Sequence, residues 1–375
     1  MMQHRNPSAF ISPNGHRWRE RGEGGRGAQP TTYYGRPMIK RPAWKWYIPL
    51  YLFLGGVAGG GALLGAMAEF FGGPRHRSTV RHARYLALPL SLLSAALLIT
   101  DLGRPARFHH MLRVFKGSSP LNVGTWILSG FGLFSGVLAV RQAAEDQLIL
   151  RRQSWLGRLV RALPTAPLTA VHGLLGLALG GYTGVLLAAT AVPLWSAGGM
   201  LLGPLFLSDA VTSGAAMLSL MGAATGRDMP AARKELENVD TLGTVAQLGL
   251  IAARRALMPP VVRAPLRRDL WGRVWRFGVI GAGMLSPLAI RLGVWVGGWR
   301  LGRALSIATS ALSLIGALAA RFALVEAGKR SAEDPVAYQE MTSSAPGEAR
   351  PTPRQQAMLA PAAPQWQAHL VTPDA

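Results

Sequence analysis

Cysteine is absent from the 375 residues, so the chain holds no disulfide, no iron–sulfur cluster and no thiolate metal site of its own. Charge is scarce as well: Asp, Glu, Lys and Arg together make up 15% of the residues. Acids are the rarer sign, 18 against 40 Lys and Arg, which leaves a net charge of +22. In a soluble chain that excess would point to nucleic acid, but no soluble segment carries a basic stripe interleaved with aromatics, which argues against such a partner. The arginines fall between apolar runs and near the N-terminus, where they read as interfacial charge facing anionic lipid. What the chain has in quantity is apolar residues, 49% of the total, gathered in long blocks. This is the profile of an all-α, polytopic integral membrane protein.

A bilayer core takes about 20 apolar residues per helix. Tyr47 to Phe71, Tyr85 to Thr100 with its neighbours, Val123 to Val140 and Leu168 to Leu194 meet this, and Leu201 to Ala224 does so with Asp209 inside it. Val239 to Ala253 is a short sixth segment between "RKELENVD" and "ARRAL". Phe277 to Val296 carries Pro287 and Arg291, and Leu301 to Val325 is interrupted by Arg321. About eight spans result, and an even number puts both termini on one side. Residues 1–43, rich in Gly and Arg, and residues 331–375, rich in Pro, Ala and Ser, read as flexible tails flanking a membrane domain over 44–330. Glycines 55, 56, 59 and 60 in "GGVAGGGALLGA" recur every four residues, the spacing of a close helix–helix contact.

An ionisable residue inside or at the edge of a span usually faces a partner, a cavity or a substrate. Asp101 ends the second apolar run, and Arg104 follows within a turn in "DLGRPARFHHML". Asp209 and Glu69 are further acids in or beside spans, and the three together suggest the start of a proton path. His109 and His110 are adjacent loop residues and read as solvated. Of eight histidines only His172 lies in a confident span, too few for a bis-histidine haem.

Several motifs in order carry a family resemblance: "WYIPLYLFLGGVAGGGALLG", "DLGRPARFHHML", "SSPLNVGTW", "GYTGVLLAATAVPLW", "FLSDAVTSGAAML" and "RFALVEAGKRSAEDPVAY". From Trp44 to Tyr338 the chain resembles the NrfD/PsrC family of quinone-interacting membrane subunits. The resemblance implies two four-helix bundles in a bacterial cytoplasmic membrane. It also implies a menaquinone or related quinone as cofactor, with electrons exchanged with a ferredoxin-like iron–sulfur subunit and a further redox subunit. Tyr182 in "GGYTG" matches the family's tyrosine ligand, and the glycines around it are expected to leave room for a flat ring. His172, ten residues earlier and about 15 Å along the helix, is a candidate for the other ring oxygen or a proton path. Trp46 and Tyr47, with Trp44, can stack or donate at the start of the first span, although the asparagine and histidine that the family has there are not evident. In this reading Asp101 relays protons near the quinone head and Arg104 holds it ionised or closes the pocket. The competing classes are a transporter or proton channel without quinone, and a purely structural anchor. Basic residues lean toward cytoplasmic termini, whereas the resemblance implies extracytoplasmic ones.

Overall fold

The computed structural model describes residues 39–149, 154–226, 229–267, 269–298 and 301–343, and every regular element among them is a helix. Helix α1 (Tyr47–Phe71) is apolar apart from Glu69 near its end and stops at Gly72–Gly73, where Gly73 turns the chain at φ +66°. Helix α2 (Arg77–Thr100) follows and ends at Asp101. Helix α3 (Pro120–Glu145) starts as sequence chemistry dictates: Pro120 fits the first turn, and the Ser119 hydroxyl accepts the Asn122 amide at 3.4 Å. A short helix α4 (Trp155–Ala162) leads into α5 (Thr165–Ala188), and a single turn α6 (Pro193–Ser196) into α7 (Leu202–Thr225), which Gly226 ends in the left-handed conformation. Then come α8 (Pro230–Leu257) and α9 (Asp269–Arg273), which continues through a widely wound stretch, Val274–Leu285, into α10 (Ser286–Val296). Helices α11 (Arg303–Glu333) and α12 (Pro335–Ser343) complete the chain.

Among the described residues seven helices are long and apolar enough to cross a membrane: Tyr47–Phe71, Gly73–Thr100, Pro120–Glu145, Thr165–Ala188, Gly199–Thr225, Asp269–Val296 and Arg303–Glu333. The eighth, α8, has the length but not the composition. At its start Glu235 pairs with His76 at 2.9 Å, beside the end of α1, and near its end the Arg254 guanidinium bonds the Leu194 carbonyl at the opposite end of the bundle. It therefore runs the full depth, and the expected short segment Val239 to Ala253 is only its middle. Its hydropathy is low because the face it buries is polar: Asp240, Thr244, Gln247 and Arg254 recur at helical spacing.

Other boundaries also differ from the sequence expectation. Helix α2 begins eight residues before Tyr85, because Arg81 and Arg84 lower the hydropathy of its first turns while pairing with Asp146 and Glu69. Helix α5 stops at Ala188 rather than Leu194, ahead of the extended residue Val192 and Pro193. The expected flexible tail from 331 is helical as far as Ser343, while residues 344–375 and 1–38 lie outside the described residues.

Helices α1, α2, α3 and α5 pack as one group and α7, α8, α10 and α11 as a second, joined where α1 lies against α7. The two ends of the membrane domain meet on one face, where Arg41 pairs with Glu333 at 2.9 Å. The α1 glycines make the join possible. A Cβ at Gly60 would lie 1.8 Å from the Ala210 carbonyl oxygen of α7, and one at Gly59 would lie 2.6 Å from the Gly176 carbonyl oxygen of α5. Gly60→Ala is therefore expected to push the two groups apart and destabilise the fold by about 1–3 kcal/mol or more. Gly249→Ala on α8, where a Cβ meets nothing within 4 Å, is expected to be neutral or slightly stabilising. Thermal unfolding of the full chain in detergent reads both.

Candidate functional site

The end of the bundle that holds the start of α1 also holds the ends of α2 and α5 and the start of α3, so antiparallel packing brings their terminal residues together. Tyr47 opens α1, and its hydroxyl lies close enough to Asp101, the C-cap of α2, to interact with it electrostatically. One turn further along α1, Tyr51 is buried and lies close enough to Tyr182 of α5 to interact with it electrostatically. The Tyr182 hydroxyl donates to the Pro120 carbonyl at the start of α3. Its ring fills the space that a side chain at Gly124 would need, since a Cβ there would lie 2.1 Å from the ring. Next to Tyr182, Thr183 is fully buried and its hydroxyl has no partner among the described residues. Three phenols, an unpartnered hydroxyl and a carboxylate thus come from three helices at one membrane face.

The loop between α2 and α3 lies over this end. A 3₁₀ stretch, Pro105–Leu112, buries none of its side chains, and Phe108, Val114 and Phe115 are exposed beside Arg107 and Arg113. Asn122 anchors the loop. Its side chain accepts from the Lys116 amide at 2.7 Å and donates to the Met111 carbonyl at 2.9 Å. Sequence reasoning quoted "SSPLN" without assigning Asn122 this role. Tyr51 was missed too, one helical turn after Tyr47 being the only signal for it.

A family profile described as "Polysulphide reductase, NrfD" matches residues 37–331. The chain belongs to the NrfD family. Escherichia coli (strain K12) "Protein NrfD" is 28% identical over 309 residues, covering 76% of this chain and 95% of the relative. With seven apolar spans and the full-depth α8, this NrfD-family chain is a multi-pass membrane protein.

The structure redistributes the other expected site residues. Arg104 is exposed, and among the described residues no ion pair joins it to Asp101, whose partner is Tyr47. Trp46 is 62% exposed and meets Tyr47 edge-on at 5.9 Å, while Trp44 instead stacks on the buried Trp195 at 4.9 Å. The glycines around Tyr182 do not open a slot. Gly180 and Gly184 admit α7, where added Cβ atoms would lie 2.9 Å from the Ala210 Cβ and 2.3 Å from the Leu202 carbonyl oxygen.

His172 belongs to a different cluster. It is stacked on Phe131 at 4.7 Å and its Nε2 lies 2.9 Å from the Ser135 hydroxyl. A cavity just large enough for one water, about 10 Å³, joins it to Thr169, Glu69 and Arg84. Glu69 accepts from Arg84 at 2.7 Å and from Thr169 at 2.8 Å. Just beyond α3, Asp146 accepts from Arg81 at 2.7 Å and from Tyr85 at 2.6 Å. Partial burial pushes the Asp146 carboxyl up, but the hydrogen bonds from Tyr85 and Arg81 and the Arg81 charge outweigh this and hold it below the usual carboxylate range. Glu69 is 22 residues along α1 from Tyr47, about 33 Å at helical rise, so it marks the opposite membrane face from Asp101.

Asp209 lies between those levels. It pairs with Arg321 of α11 at 2.6 Å, the guanidinium lying 3.8 Å over the Phe206 ring. A parallel pair, Asp240–Arg291 at 2.6 Å, is completed by Ser313 and Thr244 at 3.2 and 3.4 Å. The three acids Asp101, Asp209 and Glu69 are therefore separate levels through the membrane, each with its own partner, and not one cluster.

Proposed function

We propose that this NrfD-family protein is the quinone-reactive anchor subunit of a bacterial respiratory oxidoreductase. In that role it exchanges electrons between a membrane quinone, menaquinone or a related one, and an iron–sulfur subunit docked over the α2–α3 loop, with a further redox subunit beyond. The observation that carries this reading is the convergence of Tyr47, Asp101, Tyr51 and Tyr182 at one membrane face. These groups suit a quinone head: hydroxyl donors for its carbonyl oxygens and a carboxylate at the water-facing edge. A bound quinone would supply the two-electron, two-proton redox centre that a chain without cysteine lacks.

The protein's own residues then have defined tasks. The Tyr182 hydroxyl has one proton, given to the Pro120 carbonyl at the α3–α5 contact, and would turn it to one quinone carbonyl. Tyr47 holds its proton against Asp101, and Asp101, at the half-exposed end of α2, passes it toward the solvated loop. The exposed aromatic and arginine side chains of that loop supply the docking face, so electrons leave through the protein seated on it. Asp101→Asn and Tyr47→Phe should each slow quinol oxidation by the intact complex about 100-fold. Rates within a factor of two of wild type in both variants would remove this assignment.

One observation favours a second reading, a proton-conducting path in the other half of the bundle. Asp209–Arg321, Thr212–Gln247 and Asp240–Arg291 form a buried polar seam, and Ser310 on the same face of α11 has a hydroxyl without a partner among the described residues. Proteoliposomes carrying the chain alone would show proton leakage abolished by Asp240→Asn under that reading, and none under the first.

A further inference from the structure

An apolar groove of about 450 Å³ runs along the outer surface of α3 and is roofed by α4. Its walls are Leu133, Val137, Val140, Val160 and Leu163, and Gly132 and Gly136 form its floor; no lining residue is polar. It extends from Gly132 to Val140, eight residues or about 12 Å along α3. Leu133 and Val140 are exposed on the outer side of α3, while the floor borders α2, since an added Cβ at Gly132 would lie 3.8 Å from the Ser91 hydroxyl. An added Cβ at Gly136 would meet only Leu88 Cδ1, at 3.9 Å.

The roof is amphipathic and fixed in place. Trp155, Leu156, Leu159, Val160 and Leu163 fall within about 140° of the helix circumference, while Arg158 and Arg161 fall on the other side. Arg141 of α3 donates to the Leu163 and Arg161 carbonyls at 3.0 and 3.1 Å, and Arg161 donates back to the Ala144 carbonyl at 3.3 Å. These reciprocal bonds hold α4 across the end of α3, at the level where that span leaves the apolar layer. Arg158 is exposed there, and Trp155 is 70% exposed. An apolar channel leading inward from a cationic, tryptophan-bearing rim is the arrangement that takes an acyl chain below and a phosphate above.

We infer that the α3–α4 groove is a binding site for one anionic glycerophospholipid, one acyl chain lying over Gly132 and Gly136 and the phosphate at the Arg158 rim. The groove lies at the membrane face opposite Tyr47 and Asp101, so this site does not rest on the quinone assignment. A quinone tail has the same apolar chemistry, and a second copy of the chain has similar apolar faces. Neither calls for the arginine rim, which is why the observations favour the phospholipid.

Native mass spectrometry of the full-length chain, stripped of lipid in detergent and then titrated with phosphatidylglycerol or phosphatidylcholine of matched acyl chains, tests this. Wild type is expected to hold one phosphatidylglycerol and to prefer it over phosphatidylcholine. Arg158→Gln should cut that preference about five-fold while leaving acyl-chain binding intact. Gly136→Phe should abolish the bound lipid. Val160→Trp, which fills the groove from α4 without touching α2, should do the same and covers the case in which Gly136→Phe fails to fold. Equal binding of the two lipids by wild type, or a groove-filling variant that unfolds at the wild-type temperature and still holds phosphatidylglycerol, would overturn the inference. So would a groove whose occupant proves to be a quinone or a second chain.

Discussion

Asp209→Leu is expected to destabilise the folded protein by about 3–5 kcal/mol, because it leaves the Arg321 guanidinium buried with no counter-charge. Both side chains of this pair are almost fully enclosed, with side-chain exposures of 7% for Asp209 and 4% for Arg321. Arg321→Met is expected to cost less. An orphaned carboxyl can take up a proton and become neutral, whereas a guanidinium keeps its charge. The double variant Asp209→Leu/Arg321→Met should recover most of the loss, since an apolar pair of similar volume avoids the desolvation of two ions. Phe206 sets a limit on that recovery, because its ring loses the guanidinium stacked 3.8 Å above it. Thermal unfolding of the four proteins in one detergent gives the cycle. A double variant destabilised by the sum of the two single losses would mean that the pair is not coupled.

The second large effect is expected at Gly124. A Cβ there falls 2.1 Å from the Tyr182 ring, so Gly124→Val must displace the phenol and break its bond to the Pro120 carbonyl. Affinity for a quinone analogue should fall at least ten-fold, and Tyr182→Phe, which removes only the hydroxyl, should lower it about ten-fold. In the Gly124→Val background Tyr182→Phe should have no further effect, since the hydroxyl is already out of place. Isothermal titration with the analogue reads all four combinations. Independent losses that add would place the ligand away from the α3–α5 contact.

Most of the fold could be read from the sequence because the bilayer imposes one solution: long apolar helices that satisfy their own backbone. The misreadings share a cause. Helix α8 and the first turns of α2 bury polar side chains against partners on other helices, which lowers their hydropathy, and only long-range pairings such as Arg84–Glu69 and Arg291–Asp240 explain it. The site was legible as residue types and less so as a place. Tyr47, Asp101 and Tyr182 stand at helix ends that antiparallel packing brings to one face, and the alternating direction of the spans was sufficient to infer this. His172 is set about 15 Å from Tyr182 by helical rise alone, and its actual partners, Phe131 and Ser135, come from α3, which spacing along α5 does not reveal. The glycines beside Tyr182 signalled close approach correctly, but the thing approaching is helix α7 and not a ligand.

Saturation binding of a fluorescent quinone analogue to the full chain in lipid nanodiscs tests the central claim most directly. The account predicts one saturable site in wild type, lost in Tyr47→Phe/Tyr182→Phe and unchanged in Glu69→Gln at the far face. A wild type without saturable binding, or a site lost with Glu69→Gln and kept by the tyrosine double variant, would contradict it.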